Sequence, residues 1–207
     1  MAIAIRITRV LALAATLLGL AGTAPAGAAE VAGVKLEDNV RVANQDLRLN
    51  GAGIRYKAIF KVYVAALYLA QPKTSVADVL AAPGARRVTI VMLRDISNEE
   101  FGRGFMSGIQ QNIDRAEKVK YVLQLQKFGE IFASVPELKK GDVLTVDWVP
   151  SSGTLIHLNG KKVADSLPDL GFYNTILRIW LGEKPIDEQL KQLMLGGRPD
   201  EGPRSIN

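Results

Sequence analysis

Leu49-Asn50-Gly51-Ala52-Gly53-Ile54-Arg55, then Lys57-Ala58-Ile59-Phe60-Lys61-Val62-Tyr63-Val64-Ala65-Ala66-Leu67-Tyr68-Leu69, is the stretch that decides the fold. The second run is rich in β-branched and aromatic residues and is apolar at odd and even positions alike. A strand of that kind is buried on both faces. Pro72 ends it. The preceding Asn50-Gly51-Ala52-Gly53 reads as a flexible, glycine-rich turn. Upstream, Val40, Val42, Leu47 and Leu49 alternate weakly and predict strands broken at Asn44-Gln45.

Downstream, Thr74 or Ser75 caps a short helix over Val76–Ala81, closed by Pro83-Gly84. Val88–Leu93 is a strand. Ser97-Asn98-Glu99-Glu100 reads as a capping box. Behind it Phe101, Phe105, Ile109 and Ile113 form one helical stripe. Val122–Phe132 is a further helix with Leu125, Phe128 and Phe132 on one face. Lys140-Gly141-Asp142 turns into the strand Val143–Val149. Pro150-Ser151-Ser152-Gly153 turns into the strand Thr154–Leu158. Asn159-Gly160 is a type I′ hairpin turn. Ser166 is the expected cap of a helix carrying Phe172, Ile176, Ile179 and Trp180, stopped by Gly182. A last helix spans Ile186–Leu195 and stops at Gly196. Strands at both ends with helices in the middle and near the end suit an α+β domain.

The 207-residue chain opens with a secretory pattern. Arg6 and Arg9 precede the apolar run Val10–Ala21, and Ala26-Gly27-Ala28 fits a cleavage site. The run is shorter than the about 20 residues that span a bilayer. Residues 1–29 are therefore expected to be a signal peptide, and export to the periplasm or beyond is expected. No stable membrane span should remain afterwards. Two arginines leave with the segment, so the net charge of +5 falls to +3. No Lys/Arg stripe with interleaved aromatics accompanies it, which argues against nucleic acid as a partner. The absence of cysteine excludes disulfides, thiolate metal sites and cysteine nucleophiles. A single histidine, His157, leaves no His-His metal pair and little scope for a Ser-His-Asp triad. Residues 30–196 suit one domain with one sizeable core, and the polar tail 197–207 is expected to be disordered.

The Gly51-Ala52-Gly53-Ile54-Arg55 run, feeding a strand that closes with Leu67-Tyr68-Leu69, resembles the signature of the chalcone isomerase family. The order of the later elements agrees across roughly residues 31–196, and the chain looks most like the family's bacterial exported branch. The resemblance implies an open-faced β-sandwich: a large antiparallel sheet with helices layered on one face. In the plant enzymes a phenolate adds to an enone, so a cation and donors must meet the developing enolate. The family's arginine falls at Arg55. Its strand threonine falls at Tyr63, its helix tyrosine at Phe101, its helix lysine and asparagine near Gly104 and Gly108, and its late Ser/Thr at Tyr173. Only Arg55 keeps the family's residue type. Phe101 lacks the hydroxyl that positions water and the substrate ketone, so flavanone synthesis is not expected.

An arginine with a tyrosine at the first two positions resembles the fatty-acid-binding members, where the pair holds a carboxylate. The resemblance therefore implies a non-catalytic domain for a small amphipathic anion such as a fatty acid. Arg55 and Tyr63 would grip the head, and Phe101 and Tyr173 would line the cleft. No cofactor and no metal are expected. Read from the residues alone, Arg55 is also consistent with a solvated turn arginine, and Tyr63, Phe101 and Tyr173 with core packing. Two other functions stay open. One is an isomerase or lyase of unidentified substrate that uses Arg55 on an oxyanion. The other is a structural or interaction module without a small ligand. Gly102, Gly104 and Gly108 are costly inside a helix, so either backbones or a ligand must approach there.

Overall fold

Left-handed turn residues punctuate the first third of the chain. Ala32 (φ 52°) and Gly33 (φ 79°) fold β1 (Ala29–Val31) onto β2 (Val34–Leu36). Ala43 (φ 46°) and Asn44 (φ 65°) turn β3 (Asn39–Val42) into β4 (Gln45–Lys57). Ala58 (φ 52°) begins the turn into β5 (Phe60–Leu69). The computed structural model describes residues 29–135 and 137–198. The predicted signal peptide, Ala29 apart, and the tail from Pro199 onward lie outside the described residues.

After β5 come α1 (Val76–Ala81), β6 (Arg86–Met92), α2 (Asn98–Gln111), α3 (Arg115–Lys120) and α4 (Val122–Ser134). The chain continues with β7 (Val143–Val149), β8 (Gly153–Leu158), β9 (Lys161–Lys162), α5 (Leu170–Leu181) and α6 (Glu188–Met194). Strands β3 to β9 form one seven-stranded antiparallel sheet in sequence order. The helices pack on one face, as expected. The other face carries a smaller apolar layer, in which Leu47, Val64, Ala66 and Tyr68 meet Leu36 of the N-terminal hairpin. Strand β5 serves both layers: Val64 and Ala66 face the hairpin, while Tyr63, Ala65, Leu67 and Leu69 face the helices.

The helix layer is built around α5. Phe172, Ile176, Leu177, Ile179 and Trp180 are all fully buried, each contributing roughly 1.5–3 kcal/mol relative to exposure. Trp180 meets Phe105 edge-on at 5.4 Å, and Phe105 continues into Phe101, Phe128 and Phe132. That aromatic layer joins α2, α4 and α5.

Several local expectations change. Asn50-Gly51-Ala52-Gly53 is not a turn; it lies inside β4. A Cβ on Gly51 would sit 2.0 Å from the Leu193 carbonyl oxygen, and one on Gly53 would sit 2.6 Å from Leu193 Cδ1. These glycines let α6 lie directly on the strand. The reversal falls at Ala58-Ile59, so the second strand begins at Phe60, not Lys57. Asp169, not Ser166, caps α5, accepting from the Gly171 N–H; Leu167 is instead tied to Thr154 by an isolated bridge. The box at Ser97 is half formed. Ser97 accepts from the Glu100 N–H, but the Glu100 carboxylate turns away to Lys57. Ile113 lies beyond the end of α2, and α3 is a helix that the periodicity did not predict.

Two bulges decide which side chains face the helices. Between Leu49↔Tyr68 and Gly51↔Leu67, Asn50 has no partner across the hairpin. The Asn50 amide is used otherwise: it accepts from the Lys73 N–H and donates to the Lys73 and Met194 carbonyls. One extra residue exchanges the faces of everything after it. Leu47 and Leu49 therefore pack toward the hairpin layer, while Gly51, Gly53 and Arg55 face the helices. A second bulge, at Val62, lies between Arg55↔Tyr63 and Tyr56↔Lys61.

Candidate functional site

Arg55 and Tyr63 are direct cross-strand partners in the β4–β5 hairpin. Their side chains stand on the same face, where such pairs interact. Both line a cavity of about 110 Å³ under the first turns of α2. Lys57 and Glu100 stand at its rim, joined by a 2.8 Å hydrogen bond that holds the Glu100 carboxyl below its usual range. Phe101 and Phe105 supply apolar wall.

The Arg55 side chain is 18% exposed and makes no hydrogen bond to the described residues. Asp187 Oδ2 lies 3.6 Å from Arg55 Nη1. That carboxylate already has duties. Oδ1 accepts from the Leu190 N–H at 3.0 Å, capping α6, and Oδ2 accepts from the Tyr56 N–H at 3.1 Å. Asp187 is therefore a neighbour that neutralises Arg55 without occupying its donor fork. Sequence reading missed it. An acid before a helix signals a cap, but nothing local tells which arginine it will meet.

Tyr63 is 3% exposed. Its phenolic oxygen accepts from Trp180 Nε1 at 3.1 Å, so its own proton is left to donate. Burial pushes its pKa up to about 12, against the lowering effects of the Trp180 hydrogen bond and of Arg55. At neutral pH it is a protonated donor beside a permanent cation.

Phe101 lines the cavity and meets Tyr63 edge-on at 6.2 Å. Tyr173 does not join the site. It is fully buried on α5 against Trp148, with its ring 6.0 Å from the Arg86 guanidinium. Burial pushes its phenol far above the usual tyrosine range. Its hydroxyl, Arg86 Nε and Thr154 Oγ1 are buried without a partner among the described residues. Arg86 itself donates to the Leu80 and Ala82 carbonyls at the end of α1 and to Asn174, a structural use of a buried cation. His157 lies on β8 opposite Thr145 and Lys162, outside the cavity.

The three helix glycines divide. A Cβ on Gly108 would sit 2.9 Å from Ile179, and one on Gly102 would sit 3.0 Å from Phe132. Both permit close helix packing. Gly104 lines the cavity, and a Cβ there would meet nothing within 4 Å. A larger open groove of about 640 Å³ lies beside the end of α5. Its arginine, Arg178, is already bonded to Glu117 and the Asn112 carbonyl, leaving less to offer an anion. No group of His, Cys, Asp and Glu suited to a metal ion occurs among the described residues.

The family model described as chalcone isomerase-like matches residues 28–196. The chain belongs to that family. Within this chalcone isomerase-like fold, the glycine run and Arg55 occupy one strand and Tyr63 the next. No curated protein sequence matches the chain. Among solved structures, a fatty-acid binding protein of Arabidopsis thaliana superposes with a TM-score of 0.65 at 15% sequence identity, covering 79% of this chain and 92% of the other. At that identity the likeness establishes the fold.

Proposed function

We propose that this chalcone isomerase-like chain binds the carboxylate of a fatty acid or a similar amphipathic anion at Arg55 and Tyr63, without converting it. One observation carries the reading. The β4–β5 pairing brings a permanent cation with open donors and a phenolic proton into one apolar cavity. A carboxylate accepts from both. The description of the Arabidopsis protein as fatty-acid binding supports the same class of ligand. Phe101 offers no hydroxyl to move a proton at the site, which favours binding over catalysis.

The cavity of about 110 Å³ accommodates a carboxylate and the first carbons of a chain. Pockets for larger ligands run roughly 300–1,000 Å³, so a long acyl chain extends beyond this cavity. Gly104 marks the wall with room to fill. Calorimetric titration of delipidated protein with fatty acids of increasing length tests the reading. Arg55→Ala removes a charge-assisted contact of about 1.5–3 kcal/mol, a loss of roughly one to two decades in affinity. Tyr63→Phe costs less, because one neutral donor is lost. Equal affinity in wild type and both variants would sink the proposal. So would saturable flavanone formation abolished by Arg55→Ala.

The chain is proposed to act after export, on the evidence of its first residues. N-terminal sequencing of exported material should begin near Ala29 or Glu30; a start at Met1 contradicts this.

A further inference from the structure

The turn between β4 and β5 has an unusual composition for its shape. Ala58 adopts φ 52° where glycine or asparagine is the low-cost choice. Ile59 beside it is 84% exposed and Phe60 is 57% exposed. Ala32 and Ala43 take a similar φ at the two earlier hairpin turns, so what sets this tip apart is the exposed apolar pair, which burial does not account for. Cations surround the pair. Lys57 and Lys61 flank it and are exposed, and the Arg94 guanidinium lies 5.5 Å from the centre of the Phe60 ring. The nearby acids are engaged: Glu100 with Lys57, Asp95 with Lys139, and Glu99 with Arg103.

We propose that this hairpin tip docks the protein on an anionic bilayer surface, with Ile59 and Phe60 entering the interface and Lys61 and Arg94 meeting lipid headgroups. A protruding pair of apolar side chains is too small for a stable protein interface, which needs about 800 Å² per partner. An apolar wedge ringed by cations suits the boundary between headgroups and acyl chains. No helix among the described residues is long and apolar enough to cross a membrane. The placement also has a use. Lys57 and Val62, on either side of the tip, line the Arg55 cavity, so docking would set the cavity mouth near the bilayer. The docking itself does not require the fatty-acid reading to hold.

The test uses the chain as purified from cells, every variant sharing one N-terminus confirmed by mass spectrometry. Vesicles are phosphatidylcholine alone, or with about a third phosphatidylglycerol to give a negative surface. Wild type should sediment with the anionic vesicles, and less so as salt rises. The double variant Ile59→Asp, Phe60→Asp should lose roughly tenfold or more in partitioning, with unchanged thermal unfolding because both side chains are exposed. Val119→Asp, Leu123→Asp, at another exposed apolar site, should bind as wild type does. Phe60→Trp should blue-shift its emission on anionic vesicles. The native Trp148 and Trp180 are buried, so a shift reports the tip. Fatty-acid titration of the tip double variant without vesicles should match wild type, which separates this proposal from the cavity. Equal partitioning of wild type and the tip variant overturns it. So does an absence of wild-type binding, or a tip substitution whose effect is to abolish self-association in light scattering.

Discussion

Arg55 is shared between two carboxylates, the proposed ligand's and the chain's own Asp187. The internal one is held by a helix N-terminus and a backbone N–H as well as by charge. Asp187→Asn keeps an oxygen for the Leu190 N–H and removes the charge beside Arg55. An ion pair of this kind is worth about 1 kcal/mol, so carboxylate affinity should rise roughly fivefold. Titration of the variant against wild type checks it; unchanged or weaker binding would show that Asp187 does not compete. Tyr63 has a second duty that its position in the sequence hides. Tyr63→Phe leaves the Trp180 Nε1–H in the core without its acceptor, which should lower unfolding free energy by about 1–3 kcal/mol. Arg55 and Tyr63 were legible as candidates because a family pattern marks them. Asp187 and Trp180 were not, because their partners lie far away along the chain. Tyr173, which the resemblance placed in the cleft, packs elsewhere in the core; helical spacing marks such a residue as buried without saying which part of the core it enters.

At the scale of elements, most segments were legible from periodicity and caps. Val76–Ala81 and its Ser75 cap, the α2 and α4 stripes and the Asn159-Gly160 turn follow from local rules. The failures fall where tertiary contact outweighs local preference. Gly51 and Gly53 read as a turn because glycine punctuates loops; here they clear space for α6 inside a strand. The α2 glycines carry a prediction. Gly104→Ala places a methyl in open space, and the gain in helix propensity should raise stability by up to about 1 kcal/mol. Gly108→Ala pushes against the fully buried Ile179 and should cost about 1–3 kcal/mol. Urea unfolding of the two variants checks the contrast; equal effects would mean that α2 does not sit as closely on α5 as described.

For the whole molecule, the α+β class was legible, because element order and apolar content are global properties of the chain. The two-layer division was not. It depends on the N-terminal hairpin covering the face of the sheet away from the helices, a contact no local pattern announces. Its phenols give a whole-molecule test. Burial pushes Tyr63 and Tyr68 up to about 12, and Tyr173 higher still, against about 10 in the unfolded chain. Above about pH 10 the unfolded chain binds fewer protons than the native one, so stability falls as pH rises. It is intact below that point. Tyr63 alone accounts for about 2–3 kcal/mol between pH 10 and 12. Thermal unfolding from neutral to alkaline pH, with tyrosinate absorbance in parallel, should show late-titrating phenols and a falling midpoint. Simple titration of all five tyrosines near pH 10 in the folded protein would contradict it. The bulge at Asn50 reaches just as far. It acts on the strand as one inserted nucleotide acts on a reading frame, because every side chain downstream to the turn changes sides. Loss of that single codon would turn Arg55 away from the helices while leaving every residue of the anion site in the gene. Descendants of this chain can therefore lose the site by a change of phase, with no substitution in the site itself.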